Sequence, residues 1–218
     1  MKSFIYLLVI SLVLSGNKFP GITEWLLPVN LINRQSLIEI RLTEIGTFGI
    51  KRKARPTVPS HLHTGIDIRR PNDRYDDEPV FAASGGTVIS VRTDGPFAQV
   101  IIEHAGERGN KIWTVYEHLA GISCFPGDWV TSNSKIGRFM NKEELDRYGW
   151  KFNHLHFEIL KQEPRQLKND FKNPHRKFGV YNLECYTYEN LDKYYFDPFE
   201  FYSVVWKNQE VKALSKQP

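Results

Sequence analysis

Cysteine is nearly absent from this chain of 218 residues, Cys124 and Cys185 being the two it has. Both lie far from the histidine motifs described below, which excludes a Cys-rich metal site. In an oxidising compartment they could pair or stay as two buried thiols, and spacing alone does not choose. Charge of one sign is also scarce: 29 Lys and Arg interspersed with 25 Asp and Glu leave a net charge of +4. The longest basic cluster, Lys51-Arg52-Lys53-Ala54-Arg55, is short and reads as a solvated loop. The dense basic stripe of a nucleic-acid binder is missing. A mildly basic surface would suit an anionic cell envelope. Internal repeats and long low-complexity linkers are absent too.

Long apolar runs are confined to the N-terminus. Lys2 supplies a positive charge, residues Phe4 to Leu14 are almost wholly apolar, and Ser15, Gly16 and Asn17 end the run. That layout predicts a secretory signal peptide over residues 1–16, too short for a comfortable membrane span. An uncleaved N-terminal anchor is the alternative. Leu14-Ser15-Gly16 resembles the start of a lipoprotein cleavage box, but Asn17 stands where cysteine is required. Lipid attachment there is excluded. The expected location is periplasmic or secreted, with no stable membrane span after cleavage.

The rest of the composition is that of a globular protein, 41% apolar and 25% charged, long enough for one domain with a core. From residue 65 onward β signals accumulate. Gly65–Ile68, Pro79–Ala82, Gly86–Val91, Ala98–Glu103 and Lys111–Tyr116 are short, β-branched or aromatic, and punctuated by Gly, Pro, Asn or Asp. The spacing predicts antiparallel sheets stacked as a sandwich or partial barrel, not a βαβ fold. One short surface helix is expected over Asn141–Tyr148, capped by Asn141 and stopped by Gly149. Residues 161–195 show little periodicity, and Asp197-Pro198-Phe199-Glu200-Phe201-Tyr202 is expected to pack back on the domain.

Four of seven histidines stand in three suggestive settings. In His63-Thr64-Gly65-Ile66-Asp67, imidazole and carboxylate are both normal zinc ligands, and a turn at Thr64-Gly65 brings them together. In His154-Leu155-His156-Phe157-Glu158-Ile159, strand alternation puts both histidines and Glu158 on one face and three apolar residues on the other. A half-buried strand with solvent-facing histidines is the plain alternative. Tyr116-Glu117-His118-Leu119 ends a predicted strand, and alone His118 reads as structural. Together they have a logic. A catalytic zinc takes three protein ligands and keeps one position for water, whose pKa it lowers. His63, Asp67 and one histidine of the pair make three ligands. The other histidine and His118 remain for proton transfer and charge stabilisation. Chemistry does not say which member of the pair is the ligand.

His63–Asp67, then Pro79–Val88, then Val115–Leu119, then His154–Glu158, in that order with β-rich spacers, resembles the lysostaphin-type, or LytM-like, zinc metallo-endopeptidases. The resemblance covers roughly residues 45 to 160, with an echo at Asp197-Pro198. It implies one Zn2+ per chain held by His63, Asp67 and His156, with His118 and His154 as the catalytic pair. It implies a mainly β fold: a two-sheet antiparallel sandwich or partial barrel, of the duplicated hybrid motif kind, with short peripheral helices. The implied substrates are peptide cross-links or stems of bacterial peptidoglycan. A non-catalytic envelope protein that binds or activates a cell-wall hydrolase is the rival. The expected organisation is a signal peptide (1–16), an N-terminal segment (17–45), the metallopeptidase domain (46–160) and a C-terminal extension (161–218). The stretch before Glu39, apolar and aromatic, is expected to cover the groove. The family's Gly-, Ser- and Thr-rich loop is replaced by Asn141–Asn153, where Trp150 and Phe152 share the parity of His154. Plain packing is the favoured role for both. Glu158 could orient a histidine but defaults to a salt bridge at the strand end, and His61 could support a ligand but reads equally as loop exposure; His104 defaults to structure and Asp76-Asp77-Glu78 to a solvated loop.

Overall fold

Short runs rich in β-branched and aromatic residues build strands wherever the sequence predicts them, as a computed structural model describing residues 24–106 and 109–214 makes plain. The expected signal peptide lies outside the described residues. In chain order the first strands are β1 (Lys51–Arg52), β2 (His61–Leu62), β3 (Ile66–Arg69), β4 (Pro79–Phe81) and β5 (Gly86–Arg92). There follow β6 (Gln99–Ala105), β7 (Lys111–Glu117), β8 (Leu119–Ala120), β9 (Trp129–Val130) and β10 (Lys135–Phe139). The last are β11 (His154–Leu160), β12 (Arg165–Gln166), β13 (Phe178–Gly179) and β14 (Tyr195–Phe196). Among the described residues three α-helices join them: α1 (Lys142–Tyr148), α2 (Tyr188–Tyr194) and α3 (Pro198–Leu214).

All pairings between strands are antiparallel. The main sheet runs β14-β11-β7-β6-β5-β9, and β3 shares the outer edge of β11 with β14. A smaller sheet, β4-β10-β8, faces it. The core lies between them, where Val88, Val100, Ile102, Tyr116, Leu155 and Phe157 of the main sheet meet Val80, Leu119, Ile136 and Phe139. The fold is mainly β with two facing sheets and no closed barrel among the described residues.

The N-terminal segment is part of this core. Trp25, Leu27 and Val29 are buried in it, and Val29 bridges to Val80 at the edge of the small sheet. Arg34 ties the segment down through the carbonyls of Leu27 and Ser132 at 2.7 and 2.8 Å. The described part of the stretch before Glu39 is therefore packed structure with its own hydrogen bonds. The helix at Asn141 carries a full capping box, Asn141 and Glu144 exchanging side-chain and backbone bonds at 2.9 and 2.8 Å. Helices α2 and α3 are elements that the sequence pattern hides, α3 being the longer. The apolar residues of α3 follow no clean 3.6 period, and Phe201 and Tyr202 are its buried anchors. The start signal was legible: Asp197 Oδ1 accepts from Phe199 N–H at 2.9 Å, with Pro198 at the first helical position. Cys124 and Cys185 are free and buried, in separate apolar clusters.

Candidate metal centre

The three settings converge on one face of the main sheet. The chain bends at residues 63–65 between β2 and β3, and β3 then pairs with β11 so that Asp67 faces His156 and Arg69 faces His154. Gly65 makes that close pairing possible, because a Cβ there would collide with the Phe157 carbonyl oxygen. No rotamer relieves a backbone clash. Gly65→Ala is expected to push β3 off β11 and to cost about 1–3 kcal/mol. Urea denaturation of parent and variant measures this, and equal midpoints would remove the argument.

His63 Nε2, Asp67 Oδ1 and His156 Nδ1 meet at 3.1, 3.0 and 2.9 Å. Hydrogen-bond partners fix the tautomers. His63 Nδ1 lies 3.0 Å from the Thr47 carbonyl, which can only accept, so the proton is on Nδ1 and Nε2 carries a lone pair. His156 Nε2 lies 2.9 Å from Glu158 Oε1, which places a proton on Nε2 and leaves a lone pair on Nδ1. Three acceptor atoms thus point into one small space. Such a set is repulsive by itself and fits a cation at its centre; it is also a cluster that can hold a metal ion. Without the cation a proton takes that part. Burial disfavours the charged form of His156, but hydrogen bonds to Asp67 and Glu158 outweigh it and raise its pKa well above the usual value. Burial likewise works against the Asp67 carboxylate, yet hydrogen bonds from His156 and His63 hold its pKa far below normal.

Glu158 is not a strand-end salt bridge. It lies inside β11, fully buried, and bonds both His156 Nε2 and the Thr64 hydroxyl. It orients the imidazole in the way carboxylates orient metal-binding histidines. Far from being solvated, Arg52 pairs with Asp67 Oδ2 at 2.6 Å and is only 17% exposed. The pairing β1–β2 carries it there, a contact that a basic run cannot announce. Glu78, expected in a solvated loop, is buried and bonded to Asn72 at 2.6 Å. His61 is buried against the Pro59 carbonyl, and His104 is a core residue between Gly85 O and Thr114 Oγ1.

His118 and His154 stand beside the three-atom cluster, with ring centroids 4.8 Å apart. His118 has φ of 65°, a conformation that non-glycine residues enter at a cost of order 1–2 kcal/mol. Its Nδ1 lies 2.6 Å from the Pro96 carbonyl, so Nδ1 holds the proton and Nε2 is free as a base. Burial, then the neighbouring His154, pushes the His118 pKa down to about 3. Burial lowers His154 to about 4, with Asp67 pulling the other way. Both rings are neutral at neutral pH. His154 Nε2 is 3.5 Å from Asp67 Oδ1.

The loop before β11 borders this pair on one side. Phe152 lies 5.0 Å from the His118 ring and 5.5 Å from Phe97, which itself sits 5.8 Å from His118. Trp150 packs against Tyr75 at 5.8 Å and donates to Asp146, so packing is its role and contact with the pair falls to Phe152. Glu117 had no role in the sequence reading. It is in register with His156 and Gln99, and burial raises its pKa to about 7.

Residues 61–168 match the protein-family model described as Peptidase family M23. Stage II sporulation protein Q of Bacillus subtilis (strain 168) is 34% identical over 101 residues, 46% of this chain and 32% of that protein. The chain thus spans about a third of the length of the curated relative it matches. Among solved structures, one of a complex of SpoIIIAH and SpoIIQ aligns at 26% identity and a TM-score of 0.43, covering 62% of this chain and 90% of that one. A zinc-containing peptidase from Vibrio cholerae aligns at 26% identity and a TM-score of 0.43, over 63% and 37%.

Proposed function

Residues 61–168 are a Peptidase family M23 domain, and from that premise we propose that the chain is a zinc-dependent endopeptidase of the cell envelope. The observation that carries the reading is the convergence of His63 Nε2, Asp67 Oδ1 and His156 Nδ1. Two imidazoles and one carboxylate are a catalytic donor set, three ligands with a position to spare. Metal–ligand distances of 2.0–2.1 Å in a tetrahedral set imply ligand atoms about 3.3 Å apart. The spacings of 2.9 to 3.1 Å are close to that, so the residues fit one zinc. Zinc, when bound, supplies a Lewis acid that polarises a carbonyl and brings the pKa of a water towards neutrality.

The chain's residues do the remainder. His63, Asp67 and His156 hold the metal, with Glu158, Thr47 and Arg52 fixing their orientation. His118, neutral and with Nε2 unprotonated, and His154, neutral beside Asp67, divide proton transfer and stabilisation of the developing oxyanion. The substrate class is peptide cross-links or stems of peptidoglycan. Residues 46–160 perform the reaction, residues 1–16 direct export to a periplasmic or secreted location, and 161–218 are an extension. No helix among the described residues is long and apolar enough to cross a membrane.

A second reading, a non-catalytic envelope protein that binds a partner, has its own support. A relative 34% identical over 101 residues is described as a sporulation protein, not as a peptidase, and the five candidate side chains here are at most 12% exposed. Digestion of purified peptidoglycan separates the two readings. The zinc-loaded chain is expected to release new muropeptides, a chelator to stop it and added zinc to restore it. Mass spectrometry then maps the cut bond. An intact wall under zinc-replete conditions would leave the binding reading.

A further inference from the structure

The candidate centre is open on few sides, and the open polar side is cationic. In register across β5, β6, β7, β11 and β3 stand Arg92, Gln99, Glu117, His156 and Asp67. Towards β6 this row is closed: Gln99 and Asn182 bond the two oxygens of Glu117 at 3.2 and 3.5 Å, and Gln99 and Glu117 are buried. Along β11 towards Leu160 the face is filled by Cys185, Leu191 and Tyr195 of the C-terminal extension, packed on Trp113 and Val115. An extended peptide leaving in either direction meets a packed core.

Two sides of the face remain, the sheet end at Phe97 and the β3 side, where residues 41–46 take up the backbone hydrogen bonds of β3 and side chains alone can meet a substrate. Alternation along β3 puts Arg69 on the face of Asp67, beside its register partner His154, and Arg69 is exposed. The Arg52 guanidinium gives one N–H to Asp67 Oδ2 and makes no other hydrogen bond among the described residues. Arg69 has no ion-pair partner among them either. Two guanidinium groups with unspent donors therefore stand on the β3 side of the centre, with donor geometry suited to a carboxylate.

We propose that Arg52 and Arg69 form a carboxylate subsite, so that the preferred peptide carries an acidic group beside the bond that is cut. The proposal rests on the hydrolase reading for that bond but not for the binding itself. The test uses three synthetic stem-type peptides that differ only in Glu, Gln or Lys next to one fixed central amide. Their affinities are measured by fluorescence anisotropy on the zinc-loaded His154→Ala full chain, which is not meant to turn over. The Glu peptide is expected to bind about tenfold or more tighter than the Gln peptide, with Lys weakest. The gap is expected to close in a chain that also carries Arg69→Gln, to persist in part with Arg69→Lys, and to shrink as salt rises. Equal affinities for Glu and Gln, a preference untouched by Arg69→Gln, or no binding at all overturns the proposal. A Glu preference in a chain whose parent cuts no wall sustains the subsite and removes the hydrolase reading.

Discussion

His118→Asn is expected to lower turnover of a wall peptide by about 10²–10⁴-fold while leaving zinc content unchanged. The loss follows from position. His118 Nε2 is the base that hydrogen bonding leaves unprotonated, its ring is 4.8 Å from His154, and burial keeps it neutral. The unchanged metal content follows from its absence from the converging trio. Asparagine is chosen because it tolerates positive φ better than other non-glycine residues, so the turn at φ 65° is preserved. Cleavage of a labelled peptide gives kcat, and elemental mass spectrometry gives zinc per chain. An unaltered muropeptide pattern removes His118 from the chemistry. Loss of zinc along with activity would mean that it supports the metal instead.

Glu158→Ala is expected to weaken zinc binding by about 10–100-fold without touching a ligand. The carboxylate holds His156 by Nε2–H and is itself held by Thr64, all in a spot closed to water. Removing it frees the ring to rotate and to change tautomer, which would put a proton on the nitrogen meant for the metal. It also leaves two buried polar groups unpaired, a further loss of about 1–3 kcal/mol each in stability. Glu158→Gln keeps the shape and an acceptor and is expected to fall between parent and alanine. Competition against a coloured chelator measures the affinities. Equal values for all three chains would reduce Glu158 to a packing residue.

Why the site was legible and its surroundings were not follows from the kinds of contact involved. His63, Asp67, His154 and His156 belong to two short local patterns, and strand alternation alone puts the two histidines on one face. The strands between them were legible because their apolar runs are short and punctuated. Arg52, Glu117 and the Thr64 contact of Glu158 depend on pairing between separate strands, β1 with β2, β7 with β11 and β3 with β11, whereas the bond of Glu158 to His156 is local to β11. A charged residue in a basic run looks solvated until a pairing carries it to a partner. Phe152 was legible in parity, but its contact with His118 needs Phe97 to arrive from another loop. Helix α3 was missed because its apolar residues point to several neighbours, blurring the period that marks a one-sided helix. The C-terminal extension, featureless as a string, covers the sheet face through scattered aromatics and a cysteine.

The contacts between the start of the described chain and α3 bear on how the molecule takes load. Tyr202 donates to the Leu26 carbonyl at 2.9 Å and Trp206 to the Trp25 carbonyl at 2.8 Å. These bonds join residues 176 and 181 positions apart, so the two ends of the fold are clasped together. Tension applied through residues preceding Trp25 reaches that clasp in shear before it reaches any strand that carries the metal cluster. Pulled from that end, the molecule would strain first at the Glu24–Ser84 bond and at α3, with the His63–Asp67–His156 geometry mechanically downstream of both.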